Sequence, residues 1–133
     1  MEIALKPGMT RQSQHTVTEK LAATHIGAGQ VLVLSTPAMI GLMEWAATEA
    51  VQPYLPNGQT TVGIHVDVKH LAATPLGMKV TIRATLIAIE NRILTFRVTA
   101  DDEKECAGEG THRRSIIDVA RFQRKLEAKG KGT

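Results

Sequence analysis

The hydrophobic pattern changes period once along this chain, and the change separates a helical part from a strand part. From Ala38 to Val51 the residues are apolar on almost every side, with Glu44 and Glu49 as the charged exceptions. A helix of that kind is normally buried in the middle of a fold. Ser35-Thr36-Pro37 marks its start, because a Ser or Thr oxygen caps a first turn and Pro is tolerated there. With Pro53 as the stop, the spacing predicts a helix over 36–52.

After a turn at LPNG (55–58) the period becomes two. In TTVGIHVDVKHL (60–71), Val62, Ile64, Val66 and Val68 alternate with Gly63, His65, Asp67 and Lys69, which predicts a strand. Pro75 and Gly77 mark a turn into a strand over 78–90, apolar on both faces in its second half. Asn91 turns the chain into a strand over 92–102 with Leu94, Phe96 and Val98 on one face. Residues 104–119 predict a last strand with small residues at its centre. ARFQRKLEAK then predicts a short helix with Phe122 and Leu126 on one side. Upstream, 14–20 predicts a short strand, and 21–30, with two glycines near its end, reads as a mobile lid. VLVLS (31–35) is too short an apolar run to assign.

A sheet that buries one face needs a partner layer, and only the 36–52 helix is apolar enough to be one. The expected architecture is α+β: an antiparallel sheet wrapped around one long central helix. The two-faced apolar stretch before residue 90 is expected to be covered by a second subunit. A length of 133 residues fits a single domain, 1–133. With only 3% aromatic residues, the core has to be built from Val, Ile, Leu, Met and Ala. The lone Cys106 excludes an internal disulfide and suits a reducing compartment. No apolar run is long enough to span a bilayer. The N-terminal MEIALKPGMTRQ lacks the basic-then-apolar order of a signal peptide. The expected location is the cytoplasm, away from membranes. The net charge of +3 is concentrated from Arg113 onward, as a solvated helix face and tail. No aromatic residues interleave with those cations to stack bases, which argues against nucleic acid.

Three residues carry candidate chemistry. Helical rotation puts Thr36, Ile40, Met43, Glu44, Ala47 and Val51 on one broad face, so Glu44 interrupts an apolar stripe. A buried carboxylate needs a partner, although a place at the stripe's edge would let it reach water. His70 shares the parity of Val62, Ile64, Val66 and Val68 and continues the face expected to meet the helix. Alone it reads as a structural histidine, but with Glu44 on the opposing surface the two form an acid–base pair. Thr36 on local grounds is a cap. The helix start also offers backbone N–H groups and a positive dipole end for an oxyanion. The histidines and the cysteine have no metal-ligand spacing, so no metal is expected.

STPAMIGLMEWAA followed by TTVGIHVDVKHLAATPLGMKV resembles the hot-dog-fold thioesterases, specifically the fluoroacetyl-CoA thioesterase-like branch, over about 16–122. The resemblance implies a catalytic set at Thr36, Glu44 and His70, with substrate contacts at Gly63 and Arg114. It also implies an acyl-CoA substrate, no separate cofactor (CoA enters as part of the substrate), and a homodimer or higher assembly. The two sheets of such a dimer lie side by side, with the sites at the subunit interface. The basic C-terminal residues gain the CoA phosphates as a partner. In that branch the lid carries bulky aromatics, whereas LAATHIGAGQ has none. Hydrolysis of a small acyl thioester is therefore expected, without strict fluoroacetyl specificity. A non-catalytic acyl-CoA-binding protein and a hot-dog hydratase or dehydratase are the alternatives.

Overall fold

A computed structural model describes residues 5–23 and 29–131. Strand β1 (Thr10–Thr16) is followed by a 3-10 turn at Glu19–Leu21 and the long helix α1 (Thr36–Val51). A second 3-10 turn, Gln52–Tyr54, leads into β2 (Gln59–His70), β3 (Lys79–Glu90), β4 (Ile93–Asp102), β5 (Cys106–Asp118) and α2 (Val119–Lys131). The expected first strand over 14–20 is corrected: pairing with β3 begins at Thr10, and Glu19 onward is a turn. The 31–35 run makes only an isolated bridge from Val33 to Pro75 and one from Leu34 to Ala22. Of the lid expected over 21–30, residues 24–28 lie outside the described residues.

All five strands form one antiparallel sheet in the order β1-β3-β4-β5-β2. β1 and β2 are its edges. One face packs on α1, whose Met39, Met43, Ala46, Ala47, Ala50 and Val51 are buried. Small alanines let the helix approach the sheet closely. Val80, Ile82, Ala84 and Leu86 of β3 and Leu94, Phe96 and Val98 of β4 are inaccessible to solvent. Full burial of each larger member contributes about 1.5–3 kcal/mol. The small residues of β5 serve the same approach: a Cβ on Gly108 would lie 2.5 Å from Met39 Sδ. At the β3 register shift between Leu86 and Ala88, Ile87 is exposed in the single chain, as is Ile89 just past it.

The alternation expected for β2 is interrupted. Its register against β5 shifts between Gly63 and His65, so one residue is extra. Before the shift Thr61 pairs with Ile116 and Gly63 with Arg114; after it Val66 pairs with His112, Val68 with Gly110 and His70 with Gly108. Directly paired residues share a face. The inner face of β2 is therefore Thr61 and Gly63, then Val66, Val68 and His70. Val62 and Ile64 do not share the face of His70, and Ile64 is half exposed.

Candidate active site

The start of α1 is built by three consecutive residues with separate tasks. Ser35 is the N-cap: extended in backbone, it accepts the Ala38 N–H at 3.1 Å through its hydroxyl. Its carbonyl accepts the Met39 N–H at 3.0 Å. Pro37 has no N–H to offer. The Thr36 amide is thus the first-turn donor left without a partner among the described residues. Since Ser35 does the capping, the Thr36 hydroxyl is free, and it lies 2.7 Å from His70 Nδ1 at the end of β2. His70 Nε2 is buried and has no hydrogen-bond partner among the described residues. Burial lowers the His70 pKa below its ordinary 6.5, so the ring is neutral at pH 7. Thr36 and His70 line a cavity of about 450 Å³, walled also by Ala23, Val33, Leu71 and Ala73.

Glu44 lies about two turns further along α1, at the edge of the buried stripe, with its side chain 42% exposed. Among the described residues its carboxylate makes no hydrogen bond or ion pair with Thr36 or His70. It sits instead against Gly63, where a Cβ would come 2.8 Å from Glu44 Oε2. Arg114 Nη1 is 3.6 Å from the same oxygen. The guanidinium is held firmly: Nε donates to Thr61 Oγ1 at 2.8 Å, Nη2 to the Thr61 carbonyl at 3.0 Å and Nη1 to His112 Nε2 at 3.1 Å. Burial lowers the Arg114 pKa from its ordinary value, opposed by the charge of Glu44, and it stays a cation.

His112 was not singled out by the sequence reading. It is buried, and its Nδ1 lies 2.8 Å from the His65 carbonyl, which can only accept. Nδ1 therefore carries the proton. Nε2 faces an arginine, which can only donate, so the ring is neutral. Burial is the largest influence on His112 and lowers its pKa. The 4.0 Å approach of His112 Nε2 to Glu44 is accordingly no ion pair.

One chain thus brings together two groups rather than one. The hydroxyl–imidazole pair, Thr36 and His70, stands at the start of α1. The carboxylate group, Glu44 with Gly63 and Arg114, stands about 12 Å further along the helix. The sequence placed Glu44 and His70 on surfaces that meet, and they do face each other's layer, but the end of β2 meets α1 at Thr36, eight residues before Glu44.

A five-stranded antiparallel sheet wrapped on a central helix, with polar side chains projecting from the helix start and the end of β2, defines the hot-dog thioesterase class. The chain belongs to the family described as FlK, fluoroacetyl-CoA-specific thioesterase, whose model matches residues 17–120. It is an acyl-CoA thioesterase. It is 43% identical over 97 residues to a fluoroacetyl-CoA thioesterase from Streptantibioticus cattleyicolor, which spans 73% of this chain and 70% of that relative. A solved structure of the fluoroacetyl-CoA thioesterase FlK, 35% identical, superposes with a TM-score of 0.89 over 95% of this chain and 98% of the other. A hot-dog-like protein from Thermanaerovibrio acidaminovorans, 24% identical, shares the fold with a TM-score of 0.86 over 92% of this chain and 91% of its own. Among the described residues no helix is long and apolar enough to cross a membrane.

Proposed function

We propose that the protein hydrolyses small acyl-CoA thioesters, without strict preference for fluoroacetyl-CoA, at sites completed by a second copy of the chain. The observation that carries this reading is the 2.7 Å Thr36–His70 contact lining a cavity, with no carboxylate among the described residues that line it. β2 is an edge strand twelve residues long, with Ile64 and Val66 exposed along it. Long apolar edges are normally paired or covered. Antiparallel pairing of two β2 edges about a two-fold axis near Asp67 sets His70 of one subunit opposite Gly63 of the other. Glu44 and Arg114 of the second subunit then complete the site of the first, and the two sheets run on side by side. The assembly is a homodimer, the setting is cytoplasmic, and the reaction uses no cofactor beyond the CoA of its substrate.

In this site the Thr36 amide holds the thioester carbonyl oxygen, and the Thr36 hydroxyl, fixed by His70, orients it. Glu44 takes a proton from water as the water oxygen adds to the carbonyl carbon. Collapse of the tetrahedral oxyanion breaks the C–S bond. Glu44 returns the proton to sulfur, giving the free acid and CoA. Gly63 leaves room for the carboxylate, and Arg114 holds it in place.

The 21–30 segment, LAATHIGAGQ, contains no aromatic residue to select for a two-carbon acyl group. A panel of acyl-CoAs, followed by release of the CoA thiol, tests the reading. Acetyl-CoA and propionyl-CoA should show kcat/KM within about tenfold of fluoroacetyl-CoA. Binding without thiol release across the panel would make the protein a CoA-ester binder, and hydration of an enoyl-CoA would make it a hydratase.

A further inference from the structure

We propose that His112 is a positioning residue: as a neutral imidazole protonated on Nδ1, it holds the Arg114 guanidinium, and Arg114 holds the Glu44 carboxylate against Gly63. The inference rests on the proposed role of Glu44 in thioester hydrolysis.

The geometry is a directed chain of bonds. The register shift in β2 falls between Gly63 and His65, and the His65 carbonyl just after it accepts the His112 Nδ1–H at 2.8 Å. That bond leaves Nε2 as an acceptor, and Arg114 Nη1 donates to it at 3.1 Å. The other guanidinium nitrogens are tied to Thr61 by two bonds, so the plane of the group is fixed from two sides. Glu44 Oε2 meets this fixed cation at 3.6 Å, and no hydrogen bond to its carboxylate exists among the described residues. A half-exposed carboxylate with no other partner takes its place from the charge it faces and from the space at Gly63.

The groups facing His112 explain why it must be neutral. They are Arg114 on its own strand, the His65 carbonyl and ring on β2, Glu44 on α1, and the Phe96 ring on β4 at 6.4 Å between centroids. A second proton would sit on Nε2, turning the bond to Arg114 into two donors and two positive charges at hydrogen-bond distance. Burial and the Arg114 charge both lower the His112 pKa, in keeping with this arrangement. Acid should therefore disable the site by releasing Arg114, independently of the proton taken up by His70.

Two variants separate the roles of the ring nitrogens. His112→Asn keeps a donor for the His65 carbonyl but offers Arg114 no acceptor. His112→Gln carries an amide oxygen to the position of Nε2. Asn should lower kcat on acetyl-CoA by about 100-fold, the effect of roughly 1 Å of misplacement. Its KM should stay within about twofold, because the lost interaction is made in the transition state. Gln should recover most of kcat, and its acid limb should involve one proton fewer than that of the wild type. In the wild-type protein, imidazole 15N shifts should show His112 neutral and protonated on Nδ1 at pH 7. Wild-type kcat in a folded His112→Asn, no recovery in a folded His112→Gln, or an Nε2-protonated His112 would overturn the proposal. Should either variant fail to fold, the 15N measurement on the wild type still decides. Glu44→Ala is the control: an inactive Glu44→Ala beside a fully active His112→Asn rejects the positioning role alone, whereas an active Glu44→Ala rejects the role of Glu44.

Discussion

Gly63→Ala changes the site by a single methyl group at a known distance from the proposed base. The added Cβ would sit 2.8 Å from Glu44 Oε2, 3.3 Å from His112 Cε1 and 3.4 Å from Arg114 Nη1. Ordinary contact begins near 3.4 Å, so the carboxylate has to retreat by about 0.6 Å while the other two neighbours barely move. Gly63 is not among the glycines with positive φ, so alanine brings no backbone strain. The displaced group is the end of a flexible, partly exposed side chain. The fold should lose at most about 1 kcal/mol, the size of a modest rotamer strain. Catalysis should suffer more: with about 100-fold lost per 1 Å of misplacement, kcat should fall about tenfold to twentyfold. Thiol release from acetyl-CoA gives kcat, and thermal melts give stability. In a Glu44→Ala background the same methyl group should cost nothing further, because the group it displaces is gone. Wild-type kcat in Gly63→Ala, or an undiminished effect in the Glu44→Ala background, would refute the reasoning.

Other substitutions probe the neighbouring elements. Ser35→Ala removes the cap bond to Ala38 and should cost about 1 kcal/mol, lowering Tm by about 4 °C in a thermal melt. Thr36→Val keeps the side-chain shape but loses the bond to His70; kcat should drop about 100-fold with Tm nearly unchanged, and equal activity would remove Thr36 from the mechanism. His70 and His112 both have folded pKa values lowered below 6.5 by burial, so the unfolded chain binds protons before the folded one does. Their contribution to stability is fully present above pH 6.5 and declines as pH falls below it toward the folded values. Urea unfolding at pH 7.5 and 5.5 should show the lower stability at pH 5.5, and His112→Gln should reduce the difference.

The sequence was most legible where one local rule acted alone. The apolar run closed by Pro53 and opened by Ser35-Thr36-Pro37 became α1 almost to the residue. Leu94, Phe96 and Val98 do share the inner face of β4. Legibility failed where a single backbone irregularity outweighed the pattern. An unbroken alternation from Val62 to Val68 gives no hint that the ladder slips after Gly63, yet that slip reverses the parity of the first half of β2. Between Ser35 and Thr36 either hydroxyl could cap; backbone geometry chose Ser35 and freed Thr36. The division of Thr36 and His70 from Glu44 depends on where along α1 the end of β2 arrives, which periodicity does not encode. His112 left a faint signal: it has the parity of Arg114 and Ile116, so two polar side chains precede a buried isoleucine on one face of β5. Polar pairs on a core-facing strand surface have to satisfy each other, and that could have marked it.

Mixed subunits test most directly whether the site is shared between two chains. Thr36→Val and Glu44→Ala should each be nearly inactive alone. Mixed and allowed to exchange, half the dimers become heterodimers, and each has one site with Thr36 and His70 from one chain and Glu44 from the other intact. Activity on acetyl-CoA should rise to about a quarter of the wild-type value. A mixture that forms heterodimers, as seen by mass, and remains inactive would contradict the shared site.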